Sequence, residues 1–177
     1  MGKIYTFNNK IVTINNKWAE EYVEPTPTPT PTPVGAYTIR CRFTSGYTPS
    51  MGTTQTLVDS TNNVWDIYKP SYNWANLFGG CTDLIEIVDH NITGVQILYS
   101  TFTMCSNLIN VPLFDVSTVT NMYWTFESCT NVESGALALY QRANSAGITD
   151  HGGCFYNCGS GTTTGAAELA QIPNDWK

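Results

Sequence analysis

Charge is scarce in this chain. Asp, Glu, Lys and Arg make up 12% of its 177 residues, about half the usual share. Bases are scarcer than acids, 8 against 14, for a formal net charge of −6. The nearest thing to a basic patch is Arg40 and Arg42 on one strand-like run, which argues against a nucleic-acid partner. Long apolar runs are also missing. No stretch approaches the ~18 residues of a membrane span, so no membrane insertion is expected. The first residues lack the apolar core of a secretory signal, because Asn8 and Asn9 interrupt the run after Lys3, and no cysteine sits where a lipid anchor would need one. The expectation is a protein made in a cytosol that stays there, or leaves by lysis or with a partner. What the chain does have is a 42% apolar content and a mean hydropathy of −0.16, enough for a real core in one domain. Thr, Asn, Ser and Gly serve as the polar filler, a composition common in extracellular and virion proteins.

Three zones separate by composition. Residues 1–24 carry a seven-residue self-repeat, in which Thr6-Phe7-Asn8-Asn9-Lys10 returns as Thr13-Ile14-Asn15-Asn16-Lys17. Each Asn-Asn pair follows a β-rich run, and Asn tolerates the positive φ of tight hairpin turns. The pattern predicts a three-stranded meander over about 3–7, 10–14 and 17–23. Such a sheet is too small to be stable alone. Its apolar residues Ile4, Phe7, Ile11, Ile14, Trp18 and Tyr22 therefore need a partner surface, and docking to another chain is favoured over packing on the protein's own main domain. Residues 25–33 alternate Pro and Thr. Alternating proline fixes φ and removes donors, which makes a stiff spacer of roughly 28 Å at about 3.1 Å per residue. Residues 34–177 form the main domain. It opens on a strand in which Tyr37, Ile39, Cys41 and Phe43 alternate with Thr38, Arg40 and Arg42, and a hairpin is expected from 56–58 and 64–67.

From residue 74 the sequence repeats. Phe78-Gly-Gly-Cys81-Thr-Asp-Leu84, Phe102-Thr-Met-Cys105-Ser-Asn-Leu108 and Phe126-Glu-Ser-Cys129-Thr-Asn-Val132 lie 24 residues apart, and a degenerate copy, Phe155-Tyr-Asn-Cys158, follows 29 residues on. A period of this length predicts the stacked coils of a repeat architecture. Val119, Met122, Phe126 and Cys129 fall at spacings of 3, 4 and 3, which predicts a short helix per coil. Leu108, Val111 and Leu113 predict a short strand after it. Four of the six cysteines occupy one repeat position, so they should stack as small buried side chains rather than form a disulfide framework. A bond between Cys41 and Cys154 is disfavoured, since no signal directs the chain outside.

The phrase Phe114-Asp115-Val116-Ser117-Thr118-Val119-Thr120-Asn121-Met122, followed by Phe126-x-x-Cys129, resembles the BspA-like leucine-rich repeat of surface proteins in gut bacteria and their phages. The resemblance is direct over about 74–132. The stretch Gly165-Ala166-Ala167-Glu168-Leu169-Ala170-Gln171-Ile172-Pro173 also looks like an ending used by such proteins. The resemblance implies an α+β fold built on a short leucine-rich-repeat solenoid, used for attachment, with no catalytic machinery to carry over. The main domain then divides into a β cap (34–73), the repeats (74–132), and a degenerate repeat with a helical cap (133–177). In that cap Ser134 should N-cap a helix over 135–144, and Thr164 should cap a second over 164–171.

Catalytic constellations fare poorly. Asp89-His90 and Asp150-His151 are adjacent pairs, and neighbours on a strand point to opposite faces. No Gly-x-Ser-x-Gly elbow, phosphate-binding glycine loop or calcium loop is present. His151, Cys154 and Cys158 make at most half a zinc site, with no fourth ligand. No enzyme activity, cofactor or metal is expected. Strand alternation should turn Glu86, Val88 and His90 outward on one coil, and Asn110, Pro112 and Phe114 on the next. Tyr99, Tyr123 and Trp124 lie at matching repeat positions. Exposed rings such as Phe114, Tyr123, Trp124 and Tyr99 suit the apolar faces of sugars, whereas Tyr99 and Tyr123 could equally stack on each other in the wall. The sequence expectation is a virion accessory protein of a phage (a head fibre, decoration or tail-associated protein) assembled in the host cytoplasm. It would dock through residues 1–24 and present the repeat domain to a host surface protein or glycan. The alternative is an adhesin on a bacterial cell surface. A fibre admits a homo-oligomer, but no heptad specifies one.

Overall fold

The alternation that opens the main domain requires a strand, and the computed structural model, which describes residues 4–7, 10–13, 35–51 and 54–177, places β3 there (Thr38–Phe43). Upstream, β1 (Ile4–Phe7) and β2 (Lys10–Thr13) pair antiparallel, with Phe7 opposite Lys10. Of the expected docking residues, Ile4, Phe7 and Ile11 fall on these two strands. Ile14, Trp18, the third strand and the Pro-Thr spacer lie outside the described residues. The chain divides into two compact units, Met1–Thr32 and Pro33–Lys177.

In the second unit β4 (Thr54–Asp59), β5 (Val64–Tyr68) and β6 (Leu84–Asn91) join β3 in an antiparallel sheet of order β4-β5-β3-β6. The β4–β5 pair is the expected hairpin. Ile39, Cys41, Phe43, Ile67, Leu84 and Ile87 are buried in the core. On the other face, Arg40 grips Asp66 with two parallel bonds of 2.7 and 2.9 Å, and Arg42 meets Glu86 at 2.8 Å. Both arginines of this strand are thereby neutralised across strands. The β3–β6 pair carries two register shifts, one between Arg42 and Phe43 and one between Arg40 and Cys41, the second being the one that bears on His90. Arg40 faces Asp89 and Cys41 faces Ile87, so Val88 is the extra residue. A bulge of one residue reverses the alternation beyond it. His90 therefore pairs with Ile39 on the inner side instead of turning outward, and burial holds its imidazole below the usual range.

The expected leucine-rich-repeat solenoid, with a helix and a strand in each coil, is corrected by the structure. The architecture is a small open antiparallel sheet of four strands with two helices, and residues 74–132 hold no helix and only the strand β6. The reason lies in the backbone. Asn76, Ser100 and Trp124 have positive φ, as does Gly153 at the same position of the degenerate copy. Four residues on, Gly80, Met104, Ser128 and Asn157 do too. A left-handed residue ends a helical turn, so each copy makes two tight turns in succession. The 3-4-3 apolar spacing arises from turns rather than from a helix. The strand expected at 108–113 fails for a second reason. Pro112 has no N–H, and the Asn110 carboxamide spends itself on both backbone groups of Ile87 (3.2 and 3.1 Å).

The copies nevertheless stack in register. Alternate N–H groups of one copy donate to carbonyls of the next, as from Trp74, Asn76, Phe78 and Gly80 to Ile97, Tyr99, Thr101 and Thr103. The same set recurs from the second copy to the third. Isolated parallel bridges join Asn73 to Ile97, Ile97 to Asn121 and Asn121 to Asp150. Inside, Phe78, Phe102, Phe126 and Phe155 form one column with centroids 5.2, 5.0 and 6.1 Å apart and nearly parallel rings.

Two helices close the far end, α1 (Ala136–Ser145) and α2 (Thr163–Gln171). Their caps differ from expectation. Ser134 is held in a bridge to Asn110, and Gly135, at φ 96, occupies the cap without a side-chain bond. The Glu168 carboxylate, reaching from α2, instead accepts from the N–H groups of Gly135 and Leu137 (3.3 and 3.1 Å), where a negative charge also suits the helix N-terminus. Thr162, not Thr164, caps α2, accepting from the Gly165 N–H at 3.0 Å. Trp176 seals this end, stacked on His151 at 3.9 Å with Tyr140 edge-on.

Candidate aromatic binding face

Burial closes off five of the six thiols, those of Cys41, Cys105, Cys129, Cys154 and Cys158. All six cysteines are free. Cys105 Sγ donates to the Phe78 carbonyl at 3.1 Å and Cys129 Sγ to that of Phe102 at 3.0 Å. Burial pushes the thiols of Cys41, Cys105, Cys129, Cys154 and Cys158 far up, so none supplies a thiolate nucleophile. Cys81 is half-buried, 3.7 Å from the Tyr47 hydroxyl, and burial followed by that contact raises Tyr47 to about 12. Iodoacetamide on the native protein is expected to alkylate Cys81 first and spare the other five, as read by peptide mass spectrometry. Equal labelling of Cys105 and Cys81, or a disulfide within the column, would refute the stacked arrangement.

The half zinc site does not assemble. His151 turns its ring onto Trp176, and among the described residues no three His, Cys, Asp or Glu side chains converge on a point that could hold a metal. Asp89 Oδ1 accepts from the backbone N–H of His90 at 2.8 Å, not from its imidazole.

Of the four rings expected on the outer face, three come together and one does not. Phe114 is fully buried, 6.0 Å from Phe102 and 6.4 Å from Phe126, with His90 edge-on at 4.8 Å. Its N–H bonds back to the Pro112 carbonyl, and this turn swings the ring inward and leaves Leu113 exposed. Tyr99 and Tyr123 stack at 6.2 Å and 8°. Trp124 lies 4.7 Å from Tyr123 and 6.0 Å from Tyr99, tilted to both by about half a right angle (56° and 48°), and remains 40% exposed. The three rings make a corner. Tyr99 and Tyr123 form one wall and Trp124 the other.

Sequence reasoning missed what seats these rings. A Cβ on Gly152 would stand 2.7 Å from Tyr123 Cε2, and one on Gly153 2.4 Å from Trp124 Cδ1. Both rings therefore lie against bare backbone of the degenerate copy. The signal was the Gly152-Gly153 pair aligned with Tyr123-Trp124 of the copy before. Asn121 and Asp150 frame the corner. Asn121 Oδ1 accepts from the Tyr123 N–H at 3.0 Å, and its Nδ2 donates to Asp150 Oδ2. Elsewhere in the unit, a shallow cavity of about 290 Å³ is lined by Tyr156, Asn157, Leu169, Asn174 and Lys177.

The corner offers exposed ring surface, a carboxylate and a carboxamide, and among the described residues Asp150 makes no ion pair. Such a set can stack on an apolar ligand face and bond to hydroxyls. No helix among the described residues is long and apolar enough to cross a membrane. Compared with known proteins, the chain matches no family model, no curated protein and no solved structure.

Proposed function

We propose that this protein is a non-enzymatic attachment module, an accessory protein of a phage particle that presents the aromatic corner to host glycan. The observation that carries this is Trp124. A large ring left 40% exposed beside two stacked tyrosines loses apolar burial unless something covers it. Sugars fit because their C–H faces cover rings without needing charge, and the unit's arginines are committed elsewhere, Arg40 and Arg42 to Asp66 and Glu86 and Arg142 to the carbonyls of Leu113 and Phe114. The self-repeating segment before the Pro-Thr run supplies the anchor to the particle, and the low overall charge suits a virion surface.

The test is capture on a printed array of bacterial surface glycans. Wild type binds, and raising NaCl to about 1 M, where screening is nearly complete, changes capture little. Trp124→Ala lowers capture about tenfold or more with its thermal midpoint within a few degrees of wild type. Unchanged capture by that variant removes the corner from the site. Capture that collapses with salt points to the acidic residues and a cationic partner instead.

A further inference from the structure

Within the glycan reading, on which this step rests, we propose that Asp150 and Asn121 form the specificity edge of the corner. They read two neighbouring hydroxyls of an uncharged pyranose stacked on the exposed ring of Trp124.

The bonding inventory leads there. The Asn121 side chain has two acceptor sites and two donors. Its oxygen accepts from the Tyr123 N–H, and one donor goes to Asp150 Oδ2. The second Nδ2 hydrogen and Asp150 Oδ1 remain on offer, side by side. One donates and the other accepts, which is the complement of two adjacent hydroxyls. Both residues are held in place by the fold rather than by a ligand. Asn121 and Asp150 are paired in a parallel bridge, and the Asp150 carbonyl accepts from the Met122 N–H at 2.8 Å. Asp150 is exposed and Asn121 half-exposed. Tyr123 lies against Gly152, two residues beyond Asp150, and Trp124 lies against Gly153, one residue further on. An acidic sugar is disfavoured there, because its carboxylate would meet Asp150, which makes no ion pair among the described residues, on a chain of net charge −6. A flat aromatic ligand would satisfy the tyrosines but leave the Asp150–Asn121 edge unanswered. The tilt of 56° between Tyr123 and Trp124 also favours a puckered ring in a corner over a planar one between parallel plates.

The probes are methyl glycosides of glucose, galactose and mannose and the methyl glycoside of sialic acid, observed by saturation-transfer NMR on the full chain. At least one neutral glycoside is expected to receive saturation, and the sialoside none. The best neutral probe is then compared with its monodeoxy derivatives. Removal of either of two adjacent hydroxyls should weaken binding about tenfold, the scale of a hydrogen bond to a charged group. Asp150→Ala should weaken the parent probe by the same factor and flatten the difference between parent and deoxy probes, while retaining transfer to the C–H face. Trp124→Ala should abolish transfer altogether. Asp150→Ala equal to wild type, or discrimination that survives in it, overturns this inference and leaves the aromatic corner standing. Preference for the sialoside, or no transfer to any neutral probe, overturns it too. Transfer undiminished in Trp124→Ala overturns the glycan reading beneath it.

Discussion

Phe102→Ala is expected to lower the stability of the second unit by about 3–5 kcal/mol, the usual cost of emptying a buried phenylalanine site. Phe102 is fully buried and touches three other rings, Phe78, Phe126 and Phe114. Its loss breaks the column in the middle, where neither neighbour can close the gap. Both neighbours are pinned by inter-copy bonds, from the Phe78 N–H to the Thr101 carbonyl and from the Phe126 N–H to the Cys154 carbonyl. For a unit of this size the loss corresponds to roughly 10–15 °C in Tm. Urea and thermal melts of the variant check it, and a cost under about 1 kcal/mol would show that the column is not a core.

Gly135→Ala should be comparably severe for a different reason. A Cβ there would lie 2.0 Å from the Val111 carbonyl oxygen and 2.9 Å from its carbon, at a φ of +96° that only glycine adopts without strain. The obstruction is backbone, and it is tied down, because the Val111 N–H donates to the Ser134 carbonyl at 2.9 Å. The expected cost is about 3 kcal/mol or more, since strain and overlap add. Gly147→Ala supplies the comparison. Its φ is +74° with open space around it, so it reports strain alone, about 1 kcal/mol. Equal costs for the two variants would show that the contact with Val111 is unimportant.

The interior was legible in the sequence to the extent that identity repeats. Phenylalanine and cysteine recur every 24 residues, and those are the positions that stack. The path of the backbone between them was not legible. Four apolar residues at 3-4-3 spacing mark a helix only if the residues between are right-handed, and here Ser100, Met104, Trp124 and Ser128 are not. None of these four residue types signals positive φ. The first and last copies did hold the clue, with Asn76 and Gly80 in one and Gly153 and Asn157 in the other, residues that tolerate the left-handed region. The candidate face was readable in part for a related cause. Tyr99, Tyr123 and Trp124 were found because repeat alignment puts them together. Phe114 was misplaced because alternation was assumed across a proline that ends it. His90 was misplaced because a bulge cannot be read from residue types. Gly152 and Gly153 act by what they lack, and an absent side chain is easily passed over in a list of candidate contacts.

The register between copies bears on how such a protein can change over generations. Positions 78, 102, 126 and 155 hold the same residue, but one turn earlier the aligned residues are Ala75, Tyr99, Tyr123 and Gly152, then Asn76, Ser100, Trp124 and Gly153. The inner column and the backbone ladder do not depend on what stands at those outer places, where a ring in one copy meets either a parallel ring, as Tyr99 meets Tyr123, or bare backbone, as Tyr123 meets Gly152. The outer surface can therefore change by substitutions confined to that register, with no compensating change inside. Recombination between copies would move a ring by one storey and carry its bare seat along with it.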